Sequence, residues 1–208
     1  LKDLENAVRY FTEQDFRDLQ VWFNLTWFDP LFKERDPLVR GLIEKGSGFT
    51  EEEKAQLFAK QREVLGLIIP EYRKLAAEGR IELTTTPYYH PILPLLCDTD
   101  LAKVAMPDIR LPANRFVHPE DAKVQVDRAL AYHERFFGSR PRGMWPAEGS
   151  VAEEIVPLLA DAGIRWIGTD EGVLARSLGV TIDRDFSGVM KNPAMLYKPY
   201  LAGRGGRE

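Results

Sequence analysis

Residues 141–172 read PRGMWPAEGSVAEEIVPLLADAGIRWIGTDEG, and the way this stretch divides decides the fold. Its first part, ending in Met144 and Trp145, reads as a strand near residues 142–146, with Pro146 and Gly149 forming the exit loop. SVAEEIVPLLADAG then carries Ser150 and Glu153 at the spacing of a capping box and stops at Gly163, which predicts a helix between those limits. IRWIGTDEG follows as a second strand near residues 165–169. Two strands joined by a helix in so short a stretch need a crossover connection, and that makes them parallel neighbours in one sheet.

Working outward, the same alternation continues upstream. HPEDAKVQVDRALAYHERFFG, residues 118–138, predicts a helix with Val124, Ala131 and Phe136 on its apolar face and Gly138 at its end. A loop rich in Pro and Asp, residues 91–117, precedes it. IELTTTPYYHP, residues 81–91, is a β-branched run that ends at Pro87, which predicts a third strand near residues 81–86. EYRKLAAEGR closes a helix at Gly79. Before residue 80 the apolar period is helical throughout: Leu4, Val8 and Phe11, then Phe16, Leu19, Val21, Trp22 and Phe23, then Leu57, Val64, Leu65 and Ile68. Thr12 with Asp15 and Thr50 with Glu53 have capping-box spacing, and Gly46 and Gly48 mark a loop between helices. The expectation is a single α/β domain over residues 1–208, mainly helical to residue 80 and alternating strands and helices from 81 to 208.

Composition narrows the function classes. The chain has 208 residues, 44% of them apolar and 29% charged, enough for a substantial core and no bias towards disorder. A formal net charge of −4, with basic residues scattered and not gathered in a stripe, argues against nucleic acid as a partner. No apolar run approaches the length of a membrane span, and the start lacks the pattern of a signal peptide. The lone Cys97 excludes an internal disulfide and a thiolate zinc cluster, so the expected location is cytoplasmic. Asn24-Leu25-Thr26 matches a glycosylation sequon inside an apolar helical run, where coincidence is the better reading. The start without Met and the abrupt ending LAGRGGRE read as those of a piece of a longer protein.

The alternation fits either an open doubly wound sheet or a barrel, and in both, function gathers at the carboxyl ends of the strands. The three exits are TTTPYYHP, MWPAEGS and IGTDEG, each with a polar or ionisable group beside aromatics or glycine. A polar loop or a helix cap explains any one of them; three at one expected face favour a site. Glu148 falls between a strand and the helix that Ser150 caps. It is therefore expected near the positive end of the helix dipole, ionised, and suited to act as a nucleophile. The bland alternative is that it caps the helix from outside. Trp145 offers an apolar face for a sugar ring. His118 and His133 have no partner at i+4, so no helical zinc pair forms and both read as surface or interhelix histidines; neither a metal nor a cofactor is called for. Trp22 and Trp27 lie on an apolar helical stripe that reads as core.

GMWPAEGSVAEEIVPLLADAGIRWIGTDEGVLARS, IELTTTPYYHPILPLL and DLQVWFNLTWFDP together resemble glycoside hydrolase family 57, particularly its amylopullulanase-like members, over about residues 7–200. The resemblance implies a retaining α-glucan hydrolase or transferase on an incomplete (β/α)7 barrel with attached helices. It implies that Glu148 is the catalytic nucleophile and that His90, in the second signature, lines the substrate subsites. Tyr89 and Trp145 join it as substrate-binding residues, and Asp170 either binds substrate or supports Glu148. The family's His-Gln-Pro signature is absent from this chain and would precede residue 1. Its acid/base aspartate would follow a segment like LYKPYLAGRGG, so the isolated chain is expected to lack the acid. Two other classes stay open: a metal-dependent polysaccharide deacetylase, poorly served by three scattered histidines, and a non-catalytic carbohydrate-binding fragment.

Overall fold

The computed structural model describes residues 10–203; Leu4 and Val8 of the expected first helical face lie outside the described residues, as does the end of LYKPYLAGRGG. The chain falls into two compact units, residues 1–71 and 72–208.

In the first unit, polar side chains set where helices begin. Helix α1 (Glu13–Thr26) starts at a reciprocal cap in which Thr12 Oγ1 accepts the Asp15 N–H at 3.2 Å and Asp15 Oδ2 accepts the Thr12 N–H at 2.8 Å. Asp29 and Asp36 cap α2 (Pro30–Arg35) and α3 (Pro37–Lys45), each with proline at the first helical position, where a missing N–H costs nothing. Helix α4 (Glu51–Ala77) starts where Thr50 and Glu53 exchange bonds of 3.1 and 2.7 Å, and it continues through Pro70. The loop before it is tied to α1 by Asp18, which accepts the N–H groups of Gly48 at 2.8 Å and Phe49 at 2.9 Å. Those bonds, Gly48 first, hold the Asp18 carboxyl below its ordinary range.

The core of this unit joins Val21, Leu25 and Phe28 to Val39, Leu42, Phe49 and Leu57. Only part of the stripe read from the sequence is in it: Val21 and Leu57 are buried as expected, with Val64 packed against them. Leu19 and Phe23 are exposed, as is Trp27, while Trp22 is half-exposed and donates its indole N–H to the Gly46 carbonyl at 2.7 Å. Two apolar stripes run along α1 at helical spacing, and only the one through Val21 and Leu25 faces α3 and the start of α4.

The second unit takes in the last residues of α4. Gly79 takes φ +69°, and the Arg80 N–H reaches back to the Leu75 carbonyl at 3.0 Å, which closes the helix as the sequence predicts. A small parallel sheet follows. Strand β1 (Gly143–Met144) pairs with β2 (Trp166–Ile167), with Gly143 opposite Trp166 and Met144 opposite Ile167. On the other side of β1, Thr85 makes a parallel bridge to Met144. All three expected segments therefore lie side by side and parallel, though each is shorter than expected.

Around the sheet, α5 (Leu93–Cys97) and α6 (Ala102–Ala105) occupy part of the segment read as loop, because Leu93, Pro94 and Cys97 are buried. Helix α7 (Pro119–Phe137) stops at Gly138 with φ +81°, as expected. Its buried seam is Ala122, Val126, Ala129, Leu130 and His133, while Val124 and Ala131 face outward, which corrects the face read from Val124, Ala131 and Phe136. Helices α8 (Ile155–Asp161) and α9 (Glu171–Leu178) follow β1 and β2 respectively. Met144 lies at the centre of the core, with Val126 and Leu130 of α7 and Ile155 and Leu159 of α8. Among the described residues no helix is long and apolar enough to cross a membrane.

Between α5 and α7 the chain makes an excursion that is closed electrostatically. Asp98 accepts the Asp100 N–H at 2.9 Å and Arg115 Nε at 2.8 Å, with a further contact from Arg115 Nη2. The Arg115 guanidinium, then the Asp100 N–H, holds the Asp98 carboxyl down at about 2, from an ordinary 3.8.

Two measurements test this packing. Leu130→Ala should cost about 2–5 kcal/mol in denaturant unfolding, because the cavity it leaves is closed in by α7, α8 and β1. A carboxyl held below its ordinary pKa stabilises the fold above that ordinary value, and the contribution fades as pH falls from about 3.8 through about 2. Arg115→Gln should therefore lower the urea midpoint at pH 6, and the gap between variant and wild type should narrow as pH falls through that window.

Candidate functional site at the strand exits

Parallel pairing sets the three strand exits beside one another. The Thr85 N–H donates to the Gly143 carbonyl at 3.2 Å, and the Trp145 N–H returns to the Thr85 carbonyl at 2.8 Å. The Gly168 N–H donates to the Met144 carbonyl at 3.2 Å, extending the ladder across to the exit of β2. Whatever leaves these strands leaves them on one edge.

The first exit turns at once. The His90 N–H closes on the Pro87 carbonyl at 2.8 Å, and His90 itself takes φ +57°. The second exit does the same: the Gly149 N–H reaches the Pro146 carbonyl at 2.8 Å, and Glu148 takes φ +55°. Among the described residues these are the only non-glycine residues with positive φ. Left-handed backbone costs such a residue on the order of 1–3 kcal/mol and persists where the surroundings hold it. The two strained residues face each other, with His90 Nε2 at 3.3 Å from Glu148 Oε1. This contact becomes an ion pair when the imidazole is protonated. The carboxylate remains open to solvent, at 74% side-chain exposure, so it is held and still accessible.

The Trp145 ring packs over the exit of β2 because Gly168 makes room for it. A Cβ placed on Gly168 would come within 2.7 Å of the Trp145 ring, and one on Gly149 within 3.6 Å. The Thr169 hydroxyl donates to the Gly149 carbonyl at 2.7 Å, tying the exit of β2 to the turn that carries Glu148. Asp170 follows as the N-cap of α9, its Oδ1 accepting the Gly172 N–H at 2.6 Å. A Cβ on Gly149 would lie 3.6 Å from the Asp170 nitrogen, so Asp170 sits against the Glu148 turn, with one carboxylate oxygen committed to the helix cap. Tyr89 is exposed, with its ring edge-on to Tyr88 at 4.7 Å and its N–H donated to Gln125 Oε1 at 2.9 Å. Tyr88, Tyr89, Tyr132, His133 and Trp145 line a cavity of about 590 Å3 next to these turns.

Two sequence readings need correction. The helix after Glu148 does not begin at Ser150. Ser150 is extended, no capping bond links it to Glu153, and α8 starts only at Ile155, so Glu148 lies in a separate turn, Ala147–Gly149. The helix dipole therefore supplies neither a reason for Glu148 to be charged nor a capping role for it. What holds the side chain is the left-handed backbone and His90. The histidines also differ from each other. His118 is half-exposed beside Glu120 at 2.7 Å, whereas His133 is buried at 5% exposure, its Nδ1 at 2.9 Å from the Ser139 carbonyl and its Nε2 without a partner. Its place on the buried seam of α7 was available in the sequence, at i+3 from Leu130 and i+4 from Ala129. Among the described residues no group of three or more His, Cys, Asp or Glu could hold a metal ion.

Comparison with known proteins places this geometry in context. The sequence profile of Glycosyl hydrolase family 57 matches residues 2–206. Alpha-amylase 1 of Dictyoglomus thermophilum is 28% identical over 106 residues, which is 49% of this chain and 12% of that protein. Among solved structures, the alpha-amylase AmyC from Thermotoga maritima matches with a TM-score of 0.46 at 18% identity, over 85% of this chain and 32% of its own. A GH57-type branching enzyme from Pyrococcus horikoshii matches with a TM-score of 0.45 at 16% identity, over 84% and 31%. The chain thus spans about an eighth of the curated relative's length and about a third of these structures.

The glycine beneath Trp145 gives a direct test. Gly168→Ala should displace the indole, changing its near-UV circular dichroism and fluorescence while the far-UV spectrum stays unchanged. A Trp145 spectrum identical to wild type would show that the close approach at Gly168 does not set the ring's position.

Proposed function

The chain belongs to glycosyl hydrolase family 57, and from that premise we propose that it carries the nucleophile of a retaining glycoside hydrolase acting on α-glucans of the starch, glycogen and pullulan type. The fold that goes with this reading is an incomplete (β/α)7 barrel, of which the parallel segments at Thr85, β1 and β2 are a part.

The observation that carries the proposal is Glu148. It is an exposed carboxylate at a strand exit, on a backbone that no ordinary loop residue adopts cheaply, aimed at a histidine held in the same unusual way. Strain of this kind is retained where a side chain's direction matters more than local stability. In a retaining mechanism one oxygen of Glu148 attacks the anomeric carbon as the bond to the leaving oxygen breaks, giving a glycosyl ester that water then hydrolyses. The departing oxygen takes its proton from a second carboxyl group. This reading does not give that role to Asp170, whose Oδ1 is engaged at the head of α9; Asp170 is assigned to shaping the glucan site. Trp145 and Tyr89 supply aromatic faces for sugar C–H surfaces, and His90 lines the subsite beside Glu148.

The metal-dependent deacetylase reading needs a compact set of Asp and His ligands, and neither the family nor the arrangement of the three histidines supports it. Glucan binding without turnover by the intact protein would favour the non-catalytic reading.

Glu148→Gln in the intact protein decides among these. The amide keeps shape and exposure but cannot form the glycosyl ester, so starch and pullulan cleavage should fall by about a thousandfold or more with the unfolding curve unchanged. Wild-type protein quenched during turnover of an activated glucoside should show a glucosyl mass increment on the peptide containing Glu148. Full activity of the variant would remove Glu148 from the chemistry.

A further inference from the structure

The Glu148–His90 contact leads one residue further. On the far side of the imidazole, Thr86 Oγ1 lies 3.0 Å from His90 Nδ1. Three side chains thus form a line: a hydroxyl, an imidazole, and a carboxylate at 3.3 Å from Nε2.

The chemistry of the two ends fixes the middle. An ionised carboxylate only accepts hydrogen bonds, so the Nε2 facing Glu148 must carry hydrogen. In a neutral ring Nδ1 is then a bare lone pair that needs a donor, and the Thr86 hydroxyl is placed to be one. Thr86 is well suited to hold that direction. It is β-branched, half-buried, and follows directly on Thr85, which is pinned to β1 by main-chain bonds on both sides of its residue. The turn from Pro87 to His90, closed at 2.8 Å, brings residue i+4 back over residue i. The same turn holds the His90 backbone at a φ of +57°.

We propose that Thr86 is a positioning residue for the nucleophile. The carboxylate selects the Nε2–H tautomer, whose hydrogen engages Oε1 of Glu148, and Thr86 holds the ring in that place by donating to the Nδ1 lone pair on its far side. Oε2, to which no hydrogen bond is made among the described residues, is left as the attacking oxygen. Without the hydroxyl, Nδ1 loses its donor, the ring is no longer held from its far side, and the aim of Glu148 loosens with it. The 3.3 Å separation is long for a hydrogen bond, as pairs in unliganded active sites often are before substrate tightens them. The proposal rests on Glu148 being the nucleophile and adds to it the device that aims it.

In the intact protein the test compares Thr86→Val, which removes the hydroxyl at nearly constant shape, with Thr86→Ser, which keeps it. On soluble starch, Val should lower kcat about five- to tenfold, the worth of one hydrogen bond, with KM changed less than twofold. Ser should recover most of the loss. Independently, imidazole 15N shifts of His90 in the wild-type protein should report the Nε2–H tautomer with a hydrogen-bonded Nδ1, and in Thr86→Val the Nδ1 shift should move to that of a lone pair without a donor. Equal kcat in Val and wild type, equal loss in Val and Ser, or an Nδ1–H tautomer in the wild type would each overturn the role of Thr86. An inactive Glu148→Gln together with an unaffected Thr86→Val sinks only this inference. A fully active Glu148→Gln sinks the nucleophile assignment, and the role of Thr86 with it.

Discussion

Everything at the site depends on a few main-chain hydrogen bonds across β1. Thr85 donates to Gly143 and accepts from Trp145 on one side, and Gly168 donates to Met144 on the other. Neighbouring strands in such a ladder lie about 4.8 Å apart. Three loops with no sequence proximity therefore begin within about 10 Å of one another before any side chain is placed. Their register is held by the core beneath, where Met144 is buried against α7 and α8. A slip of one residue would turn Met144 out of that core and an indole into it. The hydrophobic side of the sheet thus fixes the alignment of the polar edge.

The parallel sheet was legible because its signals are local and redundant: β-branched or aromatic runs, closed by Pro87, Pro146 and Gly168, alternate with helices stopped at Gly79, Gly138 and Gly163. The capping pairs Thr12–Asp15 and Thr50–Glu53 were legible for the same reason, since both partners lie within one turn. Ser150 and Glu153 have the same spacing and make no cap. Pro146, the Glu148 turn and Pro157 together delay the helix to Ile155, and spacing alone does not register that competition. The buried faces of α1 and α7 were misread where two apolar stripes share a helix, because which stripe is covered is decided by elements distant in sequence. At the site, the residue types at the strand exits suggested where to look. The contact between His90 and Glu148 joins residues 58 apart and depends on backbone dihedral angles, which no pattern of residue types encodes.

Those dihedral angles show what the arrangement costs. Asn or Gly would sit at the positions of His90 and Glu148 with less strain. The fold absorbs the cost by bracketing each strained residue with a closed turn, Pro87 to His90 and Pro146 to Gly149, and each turn starts from a proline whose φ is fixed by its ring. Rigidity is thus placed two or three residues before the one that must point in an unfavourable direction. Thr169, bonded to the Gly149 carbonyl, adds a brace from the neighbouring strand.

On the face of the sheet opposite Met144, two indoles and two glycines are exchanged between β1 and β2. Trp166 lies over Gly143 and reaches on to Glu82 at 2.9 Å, while Trp145 lies over Gly168. A Cβ on Gly143 would fall 2.3 Å from the Trp166 ring. This exchange gives the evolution of the site a direction. A lineage can trade either tryptophan for a smaller side chain first, because the glycine beneath is indifferent to the loss of its cover, and fill the glycine afterwards. The reverse order passes through an intermediate in which a methyl group and an indole claim the same space. The pairs Gly143–Trp166 and Trp145–Gly168 therefore impose an order: divergence at this surface begins at the ring, and a return to the tryptophan must first restore the glycine.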